Sequence, residues 1–113
     1  MIFKIAAVLQ PHAFEAVRQA LVNIGIEGMT TTDVRGHGRQ KGHKESYRGQ
    51  EYQVDLRPKT LLEVMVSEER KEETIRALAK AARTGQIGDG KIFVERCLTA
   101  IRIRNNDRDE MAI

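Results

Sequence analysis

The sequence is poor in several features, and each of these scarcities narrows the range of possible functions. Its single cysteine, Cys97, cannot form an internal disulfide, which agrees with a reducing cytoplasm. No apolar run is long enough to cross a membrane, and no signal peptide is recognisable. There are three Phe, two Tyr and no Trp, and the net charge is only +3. So few stacking platforms and so small a basic excess disfavour nucleic acid as a partner.

The composition that remains is that of a globular domain. The chain has 113 residues, of which 41% are hydrophobic and 31% charged, so a single domain over residues 1–113 is expected. Cys97 lies in an apolar stretch and is predicted to be a buried, inert thiol. No catalytic triad, pair of acid/base carboxylates or activated nucleophile is recognisable, and the protein is therefore not predicted to be an enzyme.

One stretch, TGQIGDGKIFV (84–94), contains most of a phosphate-binding P-loop, G-x-x-x-x-G-K. A P-loop needs Ser or Thr after the lysine, but Ile92 follows Lys91. It also needs a strand before and a helix after, whereas here a helical pattern precedes and a strand pattern follows. The residues alone favour a Gly85 helix cap followed by a turn, although such a turn can present backbone N–H groups to an anion.

Apolar periodicity predicts the order β-α-β-loop-β-α-β. The predicted strands cover residues 2–10, 27–36, 59–66 and 91–104. The first helix is indicated by apolar residues at helical spacing, namely Phe14, Val17, Leu21 and Ile24, and the second by Ile75, Leu78, Ala79 and Ala82. Gly25 is predicted to end the first helix and Ser67 to N-cap the second. Residues 37–56 form a polar loop, and a structureless loop of that length is usually functional or disordered.

This order predicts an α+β, ferredoxin-like split βαβ fold, with helices covering one face of an antiparallel sheet. The strands TLLEVMV and IFVERCLTAI carry apolar residues on both faces. The sheet face without helices therefore also needs cover, and oligomerisation is the simplest solution.

Three segments together resemble the PII nitrogen-regulatory signal-transduction proteins. They are GMTTTDVRGHGRQKGH (28–43), YRGQEY (47–52) and ARTGQIGDGKIFV (82–94), and the resemblance runs over essentially the whole chain. It implies a homotrimer with a nucleotide site between subunits. It identifies residues 37–56 as the family's T-loop, about 84–91 as its B-loop and about 102–110 as its C-loop. The turn of residues 84–91 is then expected to hold ATP or ADP phosphates.

The resemblance also implies ligand-binding residues. For the nucleotide they are Thr30, Gly38, Arg39, Gln40, Glu63, Met65, Gly88, Asp89, Gly90, Lys91, Arg102 and Arg104. Gln40 also matches the position that helps hold Mg²⁺ with ATP, and 2-oxoglutarate is assigned to Gln40, Lys41, Gly42 and Lys59. Alternation in IRIR (101–104) would place both arginines on one side of a strand. Taken singly, these arginines also fit solvated edge-strand charges, and Lys59 fits a surface residue.

The T-loop implies protein partners. They are nitrogen-metabolism enzymes, a kinase or an ammonium transporter, and the docking residues are Tyr47, Arg48 and Tyr52. The resemblance also implies that this chain is cytoplasmic and that an ammonium transporter can recruit it to the inner membrane face. Tyr52 matches a tyrosine that a nucleotidylyltransferase modifies in some members, but it also fits an apolar docking contact.

Departures from the family pattern and rival functions remain. Gln50 stands where the motif usually has Ala or Ser, His12 and His37 where Phe is common, and Asn105-Asn106-Asp107 where Thr-Gly-Glu is common. The three histidines lack regular metal-ligand spacing.

The main alternative is a PII-like paralogue that binds adenine nucleotide and serves another pathway, such as inorganic-carbon uptake. The sequence lacks the arginine-containing loop after the first strand that is expected of an acylphosphatase-like enzyme. It also lacks the mid-strand aromatic pair that is expected of an RNA-binding sheet.

Overall fold

The structure, a computed structural model, describes residues 1–37, 44–47, 50–53 and 56–113. Within them the chain forms strands and helices in the predicted order, with two additional short strands between the second and third predicted strands. The elements are β1 (Ile2–Leu9), α1 (Phe14–Asn23), β2 (Thr30–Gly36), β3 (Lys44–Tyr47), β4 (Gln50–Gln53), β5 (Arg57–Ser67), α2 (Glu68–Ala82) and β6 (Gly90–Cys97).

Four strands form one antiparallel sheet in the order β2-β5-β1-β6. β1 pairs with β5 from Ile2 opposite Ser67 to Leu9 opposite Thr60. It pairs with β6 from Ile2 opposite Cys97 to Leu9 opposite Gly90. The two halves of the chain thus interleave, and the predicted α+β, ferredoxin-like architecture is confirmed.

The core lies between the sheet and the two helices. Alternate residues of the central strands point to this side, because side chains of a strand alternate between faces. They bury Ile5, Ala7 and Leu9 from β1 and Leu62, Val64 and Val66 from β5 against Val17, Leu21 and Leu78 of the helices. The apolar spacing read from the sequence therefore does specify the helix-covered side.

The second helix, α2, differs in detail from expectation. Ser67 occupies the N-cap of α2 but makes no capping bond with its side chain. The Glu68 N–H instead donates to the Met1 carbonyl across 3.0 Å. Thr74, a polar residue outside the predicted apolar stripe, is fully buried. Its hydroxyl donates to the Arg70 carbonyl at 2.7 Å, which satisfies the group inside the helix and permits its burial.

The other face of the sheet is open in the single chain. Phe93 on β6 is 51% exposed, and Leu98 and Ile103 beyond it are 89% and 97% exposed. Cys97 is only partly buried, so the expected buried thiol is wrong for the isolated chain. Exposed apolar side chains in this number are typical of protein-interaction surfaces.

Two segments are organised differently from the predictions. Residues 37–56 are not a loop without secondary structure, because β3 and β4 pair as a hairpin within them. The IRIR segment is not a strand. Ile101 makes a single bridge to Arg108, and a turn follows at 103–105. The expectation that alternation aligns Arg102 with Arg104 is therefore wrong. Among the described residues, no helix is long and apolar enough to span a membrane.

Candidate functional site

A cleft of about 970 Å³ opens at the end of the sheet where β1 ends and β6 begins. Its cationic lining residues are Arg35, Lys59 and Lys91, and the described residues that line it include no acidic side chain. The remaining lining residues are Val8, Val34, Gly36, His37, Ile87, Gly88, Gly90 and Phe93. A concave site lined by cations and glycine backbone favours an anionic ligand.

The sheet register brings Lys59 and Lys91 to this cleft from distant parts of the sequence. Lys91 lies opposite Val8 on one side of β1, and Leu61 lies opposite Val8 on the other. Lys59 comes two residues before Leu61 in β5 and pairs with Val34 of β2. Two lysines assigned to different ligands by resemblance therefore share one cavity.

The loop between α2 and β6 is braced by Asp89. Its carboxylate accepts hydrogen bonds from the backbone N–H of Thr84 at 2.7 Å and of Gly85 at 2.9 Å, and from the Thr84 hydroxyl. These bonds from Thr84, together with that from Gly85, lower the pKa of the Asp89 carboxyl. The Asp89 carboxylate is turned into the loop, and Asp89 does not line the cleft. That Asp89 binds nucleotide as part of this loop stays a prediction.

The middle of this loop presents backbone donors. Gly88 has φ of 102°, a conformation that glycine adopts easily. Among the described residues, no acceptor makes a hydrogen bond with the backbone N–H group of Ile87 or of Gly88. The Gly88 carbonyl accepts a bond from the Gln10 side chain at 2.8 Å. Successive unpaired N–H groups at such a turn form an anion-binding concavity.

Gly90 closes the loop against β1. Its φ is 111°, and a Cβ built there would lie 1.9 Å from the Val8 carbonyl oxygen. No side chain fits at that distance, so the close approach of the loop to the strand requires glycine. This approach places Lys91, the next residue, at the start of β6 beside the cleft.

A second group of predicted site residues lies elsewhere on the sheet. Thr30 of β2 is directly opposite Glu63 of β5, and Met65 follows two residues along. None of the three lines the cleft. The Glu63 carboxylate is 3.2 Å from the Lys4 ammonium, and this hydrogen-bonded contact raises the pKa of Lys4, with Glu95 adding to the effect.

The predicted C-loop arginines lie beyond the far end of β6. The Arg102 guanidinium is 3.3 Å from the Asp107 carboxylate, and its N–H donates to the Asp107 carbonyl at 2.9 Å. Arg104 is exposed in the following turn. β6 has eight residues, which span roughly 25 Å at about 3.3 Å each. Within one chain, these arginines and the cleft are therefore at opposite ends of the sheet.

The remaining predicted residues lie in residues 37–56. Gly38, Arg39, Gln40, Lys41, Gly42 and Arg48 are outside the described residues. Tyr47 is the last residue of β3, and Tyr52 lies on β4. In the part of the chain that the structure describes, no three His, Cys, Asp or Glu side chains are grouped to hold a metal ion.

The sequence interpretation missed two residues that organise the site. Gln10 and Thr84 hold the loop through side-chain bonds, but neither belongs to a recognisable motif. Thr84 could have been suspected from its position between a helix end and a glycine, where Thr hydroxyls often bond to nearby backbone. Gln10 gives no such local signal, because its partner is 78 residues away.

Comparisons with known proteins agree over almost the whole chain. The family described as "Nitrogen regulatory protein P-II" matches residues 2–107. A Haemophilus influenzae protein named nitrogen regulatory protein P-II is 54% identical over 110 residues, covering 97% of this chain and 98% of its own. The Escherichia coli K12 nitrogen regulatory protein GlnK is 48% identical over 109 residues, with 96% and 97% covered. A crystal structure of Arabidopsis thaliana PII bound to citrate has a TM-score of 0.81 at 36% identity, covering 99% of this chain and 92% of that one.

Proposed function

Because the chain belongs to the P-II family of nitrogen regulatory proteins, we propose that it senses ATP or ADP together with 2-oxoglutarate. In this proposal the ligand state sets the conformation of the T-loop (37–56), which then selects the protein that is regulated. The observation that carries the proposal is the cationic cleft, where a glycine-rich loop lies beside Lys91 and presents N–H groups that no described residue accepts.

The cleft fits the phosphates of a nucleotide. Among the described residues, the N–H groups of Ile87 and Gly88 have no acceptor, and Lys91 adds a charged donor at the end of the same loop. Phosphate oxygens accept from both kinds of group, and the contact to the ammonium is charge-assisted. Asp89 contributes as the brace of the loop, because a carboxylate facing phosphate would be repelled.

The nucleotide site is completed by a second copy of the chain. Thr30, Glu63 and Met65 are proposed to surround the adenosine, and Arg102 and Arg104 to contact the phosphates. The arginines cannot reach the cleft of their own chain across roughly 25 Å of sheet. A neighbouring copy supplies them in the proposed homotrimer, and the exposed Phe93, Leu98 and Ile103 give that assembly an apolar surface.

The second effector, 2-oxoglutarate, is proposed to bind beside the phosphates. It is a dicarboxylate, and Lys59 gives the cleft a cation for one of its carboxylates. Gln40, Lys41 and Gly42, outside the described residues, complete this site in the proposal. Gln40 and the ATP oxygens would hold Mg²⁺, which would supply positive charge for the other carboxylate. The Arabidopsis PII was solved with citrate, which is also a polycarboxylate.

The T-loop is proposed to dock on nitrogen-metabolism enzymes, a kinase or an ammonium transporter, with Tyr47, Arg48 and Tyr52 in contact. Tyr52 is also proposed as the target of a nucleotidylyltransferase. The protein then acts in the cytoplasm and is recruited to the membrane by a transporter. Its relatives are named as regulatory proteins, and we infer that this chain likewise regulates and does not catalyse.

The alternative is a PII-like paralogue that binds adenine nucleotide without 2-oxoglutarate and serves a pathway such as inorganic-carbon uptake. Lys59 in the cleft favours the nitrogen-regulatory function, because the lysine gives a carboxylate effector a partner next to the phosphate site.

Calorimetric titration with ATP tests the nucleotide site. Lys91→Ala removes a charge-assisted contact of roughly 1.5–3 kcal/mol, and ATP affinity should fall about 10- to 150-fold. Arg104→Ala should weaken binding in the same range if a neighbouring chain supplies this arginine. Lys80→Ala, which removes an exposed lysine of α2 away from the cleft, is the matched control. Unchanged ATP affinity in Lys91→Ala would show that the loop is not the phosphate site.

A further inference from the structure

The side chain of Gln10 reaches from the end of β1 into the glycine-rich loop. Its Nε2 donates to the carbonyl oxygen of Gly88 at 2.8 Å, in a partly buried contact between residues 78 apart in sequence. Among the described residues, this is the bond that reaches the middle of the loop from a side chain outside it. The start of the loop is held by Asp89, and its end is held where Gly90 touches β1.

We propose that Gln10 is a positioning residue for phosphate binding, an inference that rests on the proposed nucleotide site. A peptide group is planar, so holding the Gly88 carbonyl fixes the orientation of the whole peptide between Gly88 and Asp89. Glycine gives that peptide little resistance to rotation. With the carbonyl held by Gln10, its oxygen is kept occupied and the neighbouring N–H groups stay available to an anion.

Loss of the Gln10 donor has two consequences for the cleft. The Gly88 carbonyl is left without its partner, and the peptide can rotate to find another. A rotated carbonyl would direct a partial negative charge toward the phosphates, next to the N–H groups of Ile87 and Gly88 that are meant to attract them. The loop would then have to be reordered on each binding event, which lowers affinity without removing any ligand-contacting atom.

The test compares Gln10→Met, which keeps the length of the side chain and removes the donor, with Gln19→Met. Gln19 is an exposed amide of α1 that donates to Asn23 at 2.9 Å and does not line the cleft. By calorimetry, Gln10→Met should bind ATP roughly 3- to 10-fold more weakly, the range expected for one neutral hydrogen bond. Gln19→Met should bind ATP like the unmutated chain. Gln10→Lys, which retains a donor, should bind ATP more tightly than Gln10→Met.

A readout independent of nucleotide separates positioning from general damage. Amide hydrogen exchange of residues 84–90 should become faster in Gln10→Met, while exchange in the core strands β1 and β5 stays the same. The loss of affinity should also be smaller for AMP than for ATP, because AMP has fewer phosphates to contact the loop. If Gln10→Met does not fold, Gln10→Glu, with a side chain of the same size and no donor at neutral pH, takes its place.

Three results would overturn the inference. They are ATP affinity in Gln10→Met equal to that in Gln19→Met, equal losses for AMP and ATP, and unchanged exchange across residues 84–90. Failure of the unmutated chain to bind ATP would instead refute the proposed function, and with it the role of Gln10 in phosphate binding. ATP binding by the unmutated chain with no effect of Gln10→Met would refute the positioning role alone.

Discussion

Replacement of Gly90 by alanine should damage the cleft far more than the same replacement at Gly85. Both glycines have positive φ, 111° and 87°, so both replacements force alanine into a backbone conformation that it rarely adopts. They differ in their surroundings. A Cβ at position 85 would meet nothing within 4 Å, whereas one at position 90 would lie 1.9 Å from the Val8 carbonyl oxygen. The pair therefore separates backbone strain from steric overlap.

The magnitudes follow from this difference. Positive φ in a non-glycine residue costs roughly 1–2 kcal/mol, and this cost applies to both variants. At position 90 the contact must also lengthen by 3.4 − 1.9 = 1.5 Å to reach ordinary van der Waals separation. Val8 lies in a strand paired on both sides, so the start of β6 must move instead. Such overpacking adds roughly 1–3 kcal/mol, which gives about 2–5 kcal/mol for Gly90→Ala.

Thermal unfolding of both variants measures the difference. A destabilisation of 1 kcal/mol lowers Tm by several degrees in a domain of this size, roughly 4 °C or more. Gly90→Ala should therefore melt well below Gly85→Ala at the same protein concentration, which must be matched because assembly affects Tm. Gly90→Ala should also lose ATP affinity, since the shift displaces Lys91. Equal melting temperatures for the two variants would refute the steric reasoning.

Three further predictions concern acid stability, assembly and ligand coupling. Because hydrogen bonds lower the folded-state pKa of Asp89, its contribution to stability is present above the unfolded value of about 3.9 and is lost as pH falls through the folded value. Asp89→Asn should thus show a shallower loss of Tm below about pH 4, and an identical acid profile would contradict this role. Light scattering should report a trimer at micromolar concentration, and a stable monomer would exclude the shared site. Saturating 2-oxoglutarate with Mg²⁺ should tighten ATP binding by about 5- to 150-fold. Lys59→Ala should abolish that coupling, while its ATP affinity in the absence of 2-oxoglutarate stays almost unchanged. No coupling in the unmutated chain would favour the nucleotide-only paralogue.

Most of the fold could be predicted from local patterns. Val17 and Leu21 recur at helical spacing, and β1 is an apolar run of strand length, so both elements follow from short-range periodicity. Thr74 escaped prediction because its burial depends on a hydroxyl bond to the preceding helical turn, which apolar periodicity does not register. The hairpin of β3 and β4 escaped because its sequence is polar and carries no apolar alternation.

The site was less accessible to sequence reasoning. From residues alone, the stretch around Lys91 favoured a simple turn, and only resemblance suggested that it binds phosphate. Lys59 and Lys91 line the same cleft because of the registers of β5 and β6 against β1, and no local sequence pattern specifies these registers. The alternation in IRIR was misleading, because period-two spacing also occurs in a turn. Gln10 could not have been identified, since its role depends on a tertiary contact.

Lys91 lies at the start of β6 and Arg104 in the turn beyond its far end, and this separation has a genetic consequence in the proposed trimer. A chain altered at Lys91 keeps a sound Arg104, and a chain altered at Arg104 keeps a sound Lys91. When the two kinds of chain assemble into one ring, one of the junctions joins the intact loop of the first neighbour to the intact arginine of the second. Two alleles that are each defective alone would therefore complement one another when expressed together. Two alleles altered at the same residue would not, because every junction then lacks the same group.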